Sequence, residues 1–429
     1  MSPLAIALIA IAALMVLLLL RMPVSFGLML IGFAGATYLL TPSAALQLLS
    51  GDLFRQFTSY GLAVIPLFIL MGQITFRAGI SDRLYATAYK WIGSLPGGVA
   101  ATTILASIGF STVSGSNSAT TATMGAVALP EMKKYGYSPA LSGGSVAIGG
   151  TLGVLIPPST ALIIIAIQSE QSITRLFVAA LIPGLIVGAL LVITVLVLCR
   201  FKPELGPAGP KVPWGERLRS LGGVSEAVVL FALVIGGLYL GWFTPTEAGA
   251  VGAFGAIVIA LARRQLTVAS MWTAVVESLR ISAMVVLLVA GAVVFGRFLS
   301  LTRLPFELAD AIGAMDIPST AIILMIIAIF LVGGALMDAL GFLVIGIPIF
   351  FPLILTLGYD PIWFTVIITL VTTLGAVTPP VGVNVYIVSA LDKSLDVLQV
   401  FKGTFVFYVP YAMSIALFII FPGIIPTGS

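Results

Sequence analysis

The sequence predicts an all-α polytopic membrane protein, written as two inverted-topology repeats. It should hold about ten spans, two re-entrant helical hairpins and two broken helices. Three observations carry this. Apolar residues make up 60% of the 429, and Asp, Glu, Lys and Arg only 8%, where a soluble domain carries about 25% charge. Mean hydropathy is +1.19, and at about 20 residues per helical span the chain has room for ten or so. Prolines recur at one fixed offset, and Lys and Arg collect on alternate loops.

The offset is the same for six pairs: Pro23 with Pro245, Pro96 with Pro318, Pro130 with Pro352, Pro139 with Pro361, Pro157 with Pro379 and Pro158 with Pro380. Proline is costly inside a helix, so shared spacing marks shared architecture. The flanks agree. TLGVLIPP (151–158) lies over TLGAVTPP (373–380), and PEMKKYGYSP (130–139) over PLILTLGYDP (352–361). The first repeat is 1–199 and the second 224–429. Between them RFKPELGPAGPKVPWGERLRSLGG (200–223) is polar and rich in Pro and Gly, which reads as a cytoplasmic linker.

The elements follow in order. MSPLAIALIAIAALMVLLLLR lacks a basic leader and an A-x-A cleavage site, so it predicts a retained first helix over 3–20. Spans follow over 24–41 and 60–76. In 80–94, Ile80, Leu84, Ala88 and Trp91 recur at helical spacing with Arg83 and Lys90 among them, predicting an arm helix in the cytoplasmic interface. A hairpin over 97–132, a broken helix over 140–167 and a span over 176–199 complete the first half. The second half gives spans over 224–241, 246–262 and 281–300, a periplasmic arm over 302–316, a hairpin over 319–355, a broken helix over 362–390 and a span over 400–421. Thr244-Pro245-Thr246-Glu247 reads as a capping box with Pro at the first helical position.

If each hairpin dips and returns, each half crosses five times and the halves are inverted. With both termini periplasmic, 16 of the 20 Lys and Arg face the cytoplasm; Arg55, Arg175, Arg297 and Arg303 face outward. A full crossing at either hairpin spoils this bias. Arg297 is expected to snorkel at the outer interface.

Two absences narrow the chemistry. There is no histidine, which excludes Ser-His and Cys-His dyads and His metal ligands. The lone Cys199, at the end of a span, is expected to be buried and inert. An aspartyl intramembrane enzyme would need two membrane carboxylates, and only Asp338 is placed well within the membrane. An intramembrane acid points to function.

Helix breaks at membrane depth survive only when buried in protein or lining a wet cavity. Four are expected, in symmetric pairs, at 111–125, 149–160, 333–341 and 372–384. Freed carbonyls there, with Ser114, Ser116, Asn117, Thr373 and Thr378, offer oxygen to a hard cation such as Na⁺. The following half-helix N-termini favour a carboxylate. The breaks therefore point to a substrate and cation site.

At these motifs the chain resembles the large membrane subunit of tripartite ATP-independent periplasmic transporters, C4-dicarboxylate type. The strings are GWFTPTEAGAVGA (241–253), VSGSNSATTATMGAVALPEM (113–132), GGTLGVLIPPS (149–159), GALMDALGFLVIGIPIFFP (334–352) and LGAVTPPVGVNVY (374–386). The resemblance implies sodium-coupled import of a small organic anion across the bacterial inner membrane by an elevator mechanism. It implies two partners besides lipid: a small four-helix membrane subunit and a periplasmic substrate-binding protein. By the same resemblance, Ser114, Ser116 and Ser159, with Pro158 and Pro380 at the breaks, line the substrate site, with Asp338 opposite. One sodium falls among Ser116, Asn117, Gly153 and Pro157. A second falls among Gly334, Thr373, Gly375, Thr378 and Pro379. A stand-alone Na⁺/dicarboxylate symporter would share this architecture. An ion channel would not need the paired hairpins.

Overall fold

The computed structural model describes residues 2–304, 306–307 and 317–427. Every regular element among them is helical. Two opening helices, α1 (Pro3–Leu19) and α2 (Val24–Leu39), precede α3 (Pro42–Phe57). The pattern of apolar spans predicts no element over 42–59. Thr41 caps α3 and Pro42 starts it, but its Gln47, Asp52, Arg55 and Gln56 hide it from a search for apolar runs. Next come α4 (Val64–Arg77) and the amphipathic α5 (Ile80–Ile92), which buries Ile80, Leu84 and Ala88. The first hairpin is α6 (Gly98–Ser114) and α7 (Asn117–Lys134). Its partner is α8 (Pro139–Leu155) followed by α9 (Thr160–Gln168), bent 41° at the break. The long α10 (Ile173–Phe201) closes this half.

The linker is built in rather than loose. Gly97 donates its amide to Gly206, Ser138 to Leu205 and Gly209 to Gly93, so 205–209 straps the base of the hairpin. Cys199 is fully buried beside it. The rest carries a short helix, α11 (Trp214–Ser220), against α5.

The second half begins with α12 (Ser225–Tyr239), which contains a π-helical turn over Ala232–Gly236. It continues with α13 (Pro245–Ala262), opened by the Thr244/Glu247 capping box, and α14 (Val268–Thr302). That helix starts well before the expected 281, because Glu277 and Arg280 interrupt its apolar pattern but not its backbone. The expected arm over 302–316 lies largely outside the described residues. The second hairpin is α15 (Ser319–Leu336) and α16 (Ala339–Thr356). Then follow α17 (Pro361–Gly375), α18 (Val383–Leu391), α19 (Val397–Thr404) and α20 (Tyr408–Ile420). α7 and α16 start and end at the offset of the proline pairs, and the cis Pro157–Pro158 and Pro379–Pro380 bonds share it.

Among the described residues, seven helices are long and apolar enough to cross a membrane, or up to nine if each bent pair is one span. The expected count of about ten is therefore not met. Helices α1, α2, α6 and α17 are apolar but shorter than a full span, while both arms of the second hairpin are long enough to count.

The helices pack in two groups. α2 lies on α14, and α4 on α13 and α14. The hairpins pack on the broken helices, α6 and α7 on α8 and α15 on α17, with α19 on α8. Small residues permit this closeness. A Cβ on Gly32 would stand 2.9 Å from the Phe295 backbone, and one on Gly144 would overlap the Gly403 carbonyl.

Candidate functional site

Each hairpin turns where a helix ends and the next is capped by its own first side chain. α6 ends at Gly115, in the left-handed region at φ +59°, where a residue with a Cβ is strained. Ser116 then caps α7, its hydroxyl accepting from the Ala119 amide at 3.4 Å. In the second hairpin Asp338 caps α16, its Oδ2 accepting from the Leu340 amide at 3.1 Å. Ser116 and Asp338 stand at the offset of the proline pairs and do the same local work.

The broken helices dock on these turns. Gly115 O accepts from the Thr160 amide at 3.2 Å and from its hydroxyl at 2.9 Å. Ala335 O accepts from the Val381 and Gly382 amides at 3.1 and 3.3 Å. Backbone groups that the breaks free are thus paired within the protein.

A cavity of about 530 Å³ lies against the first turn, and Ser114, Ser116, Asn117 and Asp338 all line it. Its opposite walls come from α4, with Gln73 and Phe76, and from α14, with Ile281 and Met284. The described lining residues include one carboxylate and no Lys or Arg. The N-termini of α7 and α16 both meet it, so fixed positive dipole ends supply what attraction for an anion the walls have. Ser114 shares a hydrogen bond with Thr120 at 2.7 Å.

The remaining predicted residues do not line this cavity. Ser159 is fully buried and caps α9 through the Leu162 amide; it and Pro158 lie against Gly115 and are not on the cavity lining. Gly153 packs on the turn, where an added Cβ would overlap Ser116 O and stand 2.6 Å from Thr120 Oγ1. Pro157, Asn117, Ser116 and Gly153 therefore belong to one region. Gly334, Thr373, Gly375, Thr378, Pro379 and Pro380 form another. A Cβ on Gly375 would stand 2.6 Å from the Gly334 backbone. The Thr373 and Thr378 hydroxyls donate to Leu370 O and Leu374 O, leaving oxygen lone pairs to accept. Pro379 and Pro380 are exposed.

The donors in both regions are neutral oxygens, as a hard monovalent cation prefers. Among the described residues no three of His, Cys, Asp and Glu group together, so the sets do not resemble a transition-metal centre.

Several residues escape a reading of the sequence. Asp52 on α3 is buried and takes Arg297 in a two-pronged pair, Nε to Oδ2 at 3.1 Å and Nη2 to Oδ1 at 3.0 Å. Arg297 therefore does not simply snorkel, and the acid this pair shelters is Asp52, whereas Asp338 is exposed to the cavity. Tyr411, fully buried, meets the Thr151 hydroxyl and lies beside that of Thr373; these two threonines stand at the offset of the proline pairs. Asn384, also fully buried, reaches Asn117. Thr373 is among the residues expected at the second break; only the shared proline offset, carried back from it, signals Thr151. Nothing local marks the tyrosine or the second asparagine.

Residues 11–424 match the family described as the tripartite ATP-independent periplasmic transporter, DctM component. The chain is 32% identical over 401 residues to the C4-dicarboxylate TRAP transporter large permease protein DctM of Pseudomonas aeruginosa, covering 93% of this chain and 92% of that one. It is 30% identical over 403 residues to the sialic acid TRAP transporter large permease protein SiaM of Vibrio cholerae, covering 94% and 93%. Among solved structures, the YdaH transporter of Alcanivorax borkumensis superposes with a TM-score of 0.63 at 15% identity, covering 90% of each chain. That last likeness is one of fold.

Proposed function

The chain belongs to the family of DctM components of tripartite ATP-independent periplasmic transporters, and from that premise we propose that it carries a small organic anion inward across the bacterial inner membrane, driven by sodium. It is a large permease subunit and not an enzyme. The observation that carries the finer reading is the shared cavity: the Ser114–Asn117 turn, Asp338 and two capped helix N-termini meet in one space. In this reading a substrate carboxylate lies toward the helix N-termini and the serine hydroxyls. Asp338 accepts from a hydroxyl or ammonium group elsewhere on the solute. With no cation on the described walls, bound sodium supplies the balancing charge. One ion sits by Ser116, Asn117, Gly153 and Pro157, and another by Gly334, Thr373, Gly375, Thr378 and Pro379.

The rest follows from the arrangement. The two halves are read as inverted repeats, with both termini periplasmic. Hairpins, broken helices, α10 and α20 act as the block that moves in an elevator step. α1, α2, α4, α12, α13 and α14, with the amphipathic arms, act as the frame, joined by a small four-helix membrane subunit. A periplasmic binding protein delivers the solute.

Liposomes test this. With an inward sodium gradient, the chain plus small subunit and liganded binding protein should accumulate solute. Removing sodium should abolish uptake. Uptake that persists without sodium would overturn the coupling. Equal sodium-driven uptake by the lone chain from free solute would point to the stand-alone symporter instead.

A further inference from the structure

Asn384 is the second residue of α18, the half-helix after the second break, yet its side chain crosses into the first region. Its Nδ2 donates to Asn117 Oδ1 at 2.8 Å and to Ala147 O at 2.9 Å. The Ala147 carbonyl can only accept, so the Asn384 atom facing it must be the nitrogen. Both protons of that nitrogen are then spoken for, and the Asn117 atom opposite must be an acceptor. The orientation of the Asn117 carboxamide is therefore fixed from Ala147 through Asn384. This leaves two fully sheltered atoms without a partner, Asn117 Nδ2 and Asn384 Oδ1. Unpaired buried polar atoms are costly, so an asparagine pair kept in this state is held for its geometry.

The surroundings leave no slack. A Cβ on Gly150 would overlap Thr121 Oγ1 and stand 3.1 Å from Asn384 Nδ2. The Asn384 amide donates to Ala376 O at 3.1 Å, which ties the same residue to the end of α17, next to Thr373 and Gly375. One residue is thus bonded by its side chain to the first region and by its backbone to the second.

We propose that Asn384 is a positioning residue for sodium: it aims the Asn117 carbonyl oxygen and links the order of one cation region to the other. This rests on the reading of Asn117 as a sodium ligand. Asn384 need not touch the ion. A free Asn117 amide would present nitrogen as often as oxygen, and nitrogen repels a cation.

Sodium-dependent thermal stabilisation of the purified full chain reads this directly, with choline chloride holding ionic strength constant. A ligand that binds the folded state raises the melting temperature, and its half-effect concentration tracks affinity. Asn384→Ala should raise the half-effect sodium concentration about tenfold, as should Asn117→Ala. The double variant should be no worse than about twofold beyond Asn117→Ala, because both act on one oxygen. A merely structural role would lower the melting temperature at every sodium concentration and leave the half-effect value in place. Asn384→Ser, which keeps a hydroxyl but not the two-proton donor, serves if the alanine variant does not fold, with the same shift expected.

A shift with Asn117→Ala but none with Asn384→Ala or Asn384→Ser overturns the positioning role. Fully additive shifts overturn it too. No shift in any variant removes sodium from Asn117, and the reading beneath the inference fails rather than the inference alone.

Discussion

Asp52 and Glu226 are buried acids, and the fold gives each two arginines. Asp52 takes Arg297 and Arg55; Glu226 takes Arg83 and Arg263. Stranding a buried carboxylate is expensive, whereas an exposed partner contributes little. Arg55 is 75% exposed and makes one contact of 3.3 Å; Arg297 is 45% exposed and holds both oxygens. Arg297→Ala should therefore cost about 1–3 kcal/mol, below the full buried-pair figure because Arg297 is half wet and Arg55 remains. Arg55→Ala should cost under about 0.5 kcal/mol. Thermal unfolding in detergent compares them, and equal losses would mean that the two-pronged pair does not hold Asp52. The sequence could not show this pair. Its partners lie in different halves of the chain, and a search for apolar spans passes over the polar helix that carries Asp52. Asp338 was legible because it stands alone among apolar neighbours, and Ser116 and Asn117 because they sit in a run no continuous membrane helix needs.

At the scale of elements, the breaks were readable because proline and glycine state backbone constraints locally. The docking of each break on a hairpin turn was not, since it depends on which glycine meets which carbonyl. Gly153, inside α8, is close-packed against the first turn. A methyl there meets the backbone of Ser116, which cannot swing away as a flexible side chain can. Gly153→Ala should destabilise by about 1–3 kcal/mol and cut sodium-driven uptake more than tenfold, because the turn bearing Ser116 and Asn117 must move. Gly51, inside α3, has nothing within 4 Å of its added methyl. There the helical preference of alanine acts unopposed, and Gly51→Ala should be neutral or stabilising by up to about 1 kcal/mol. Melting temperatures and initial uptake rates of the two variants decide the matter. Normal uptake by Gly153→Ala would show that the turn is not held against α8 during transport.

For the whole molecule, the central question is whether the two halves face opposite sides of the membrane. The charge split and the shared proline spacing both come from the sequence, and the spacing recurs in the bounds of α7 and α16. The last residues of those helices, Lys134 and Thr356, are both exposed, so they report on equivalent points of the two hairpins. If each half crosses five times, a hairpin that opens to the cytoplasm in the first half opens to the periplasm in the second. Lys134 and its neighbour Lys133 are then cytoplasmic, as the distribution of basic residues favours. No Lys or Arg lies between Ser319 and Trp363, which suits a hairpin mouth on the outer side. Single cysteines replacing Lys134 and Thr356 test this in a Cys199→Ser background, a mild change because serine is close in size to the buried thiol. A membrane-impermeant maleimide applied to right-side-out vesicles should label Thr356→Cys and spare Lys134→Cys. Inside-out vesicles should reverse the pattern. Labelling of both from one side would mean that the second hairpin, or both hairpins, crosses fully, and the inverted arrangement would fail.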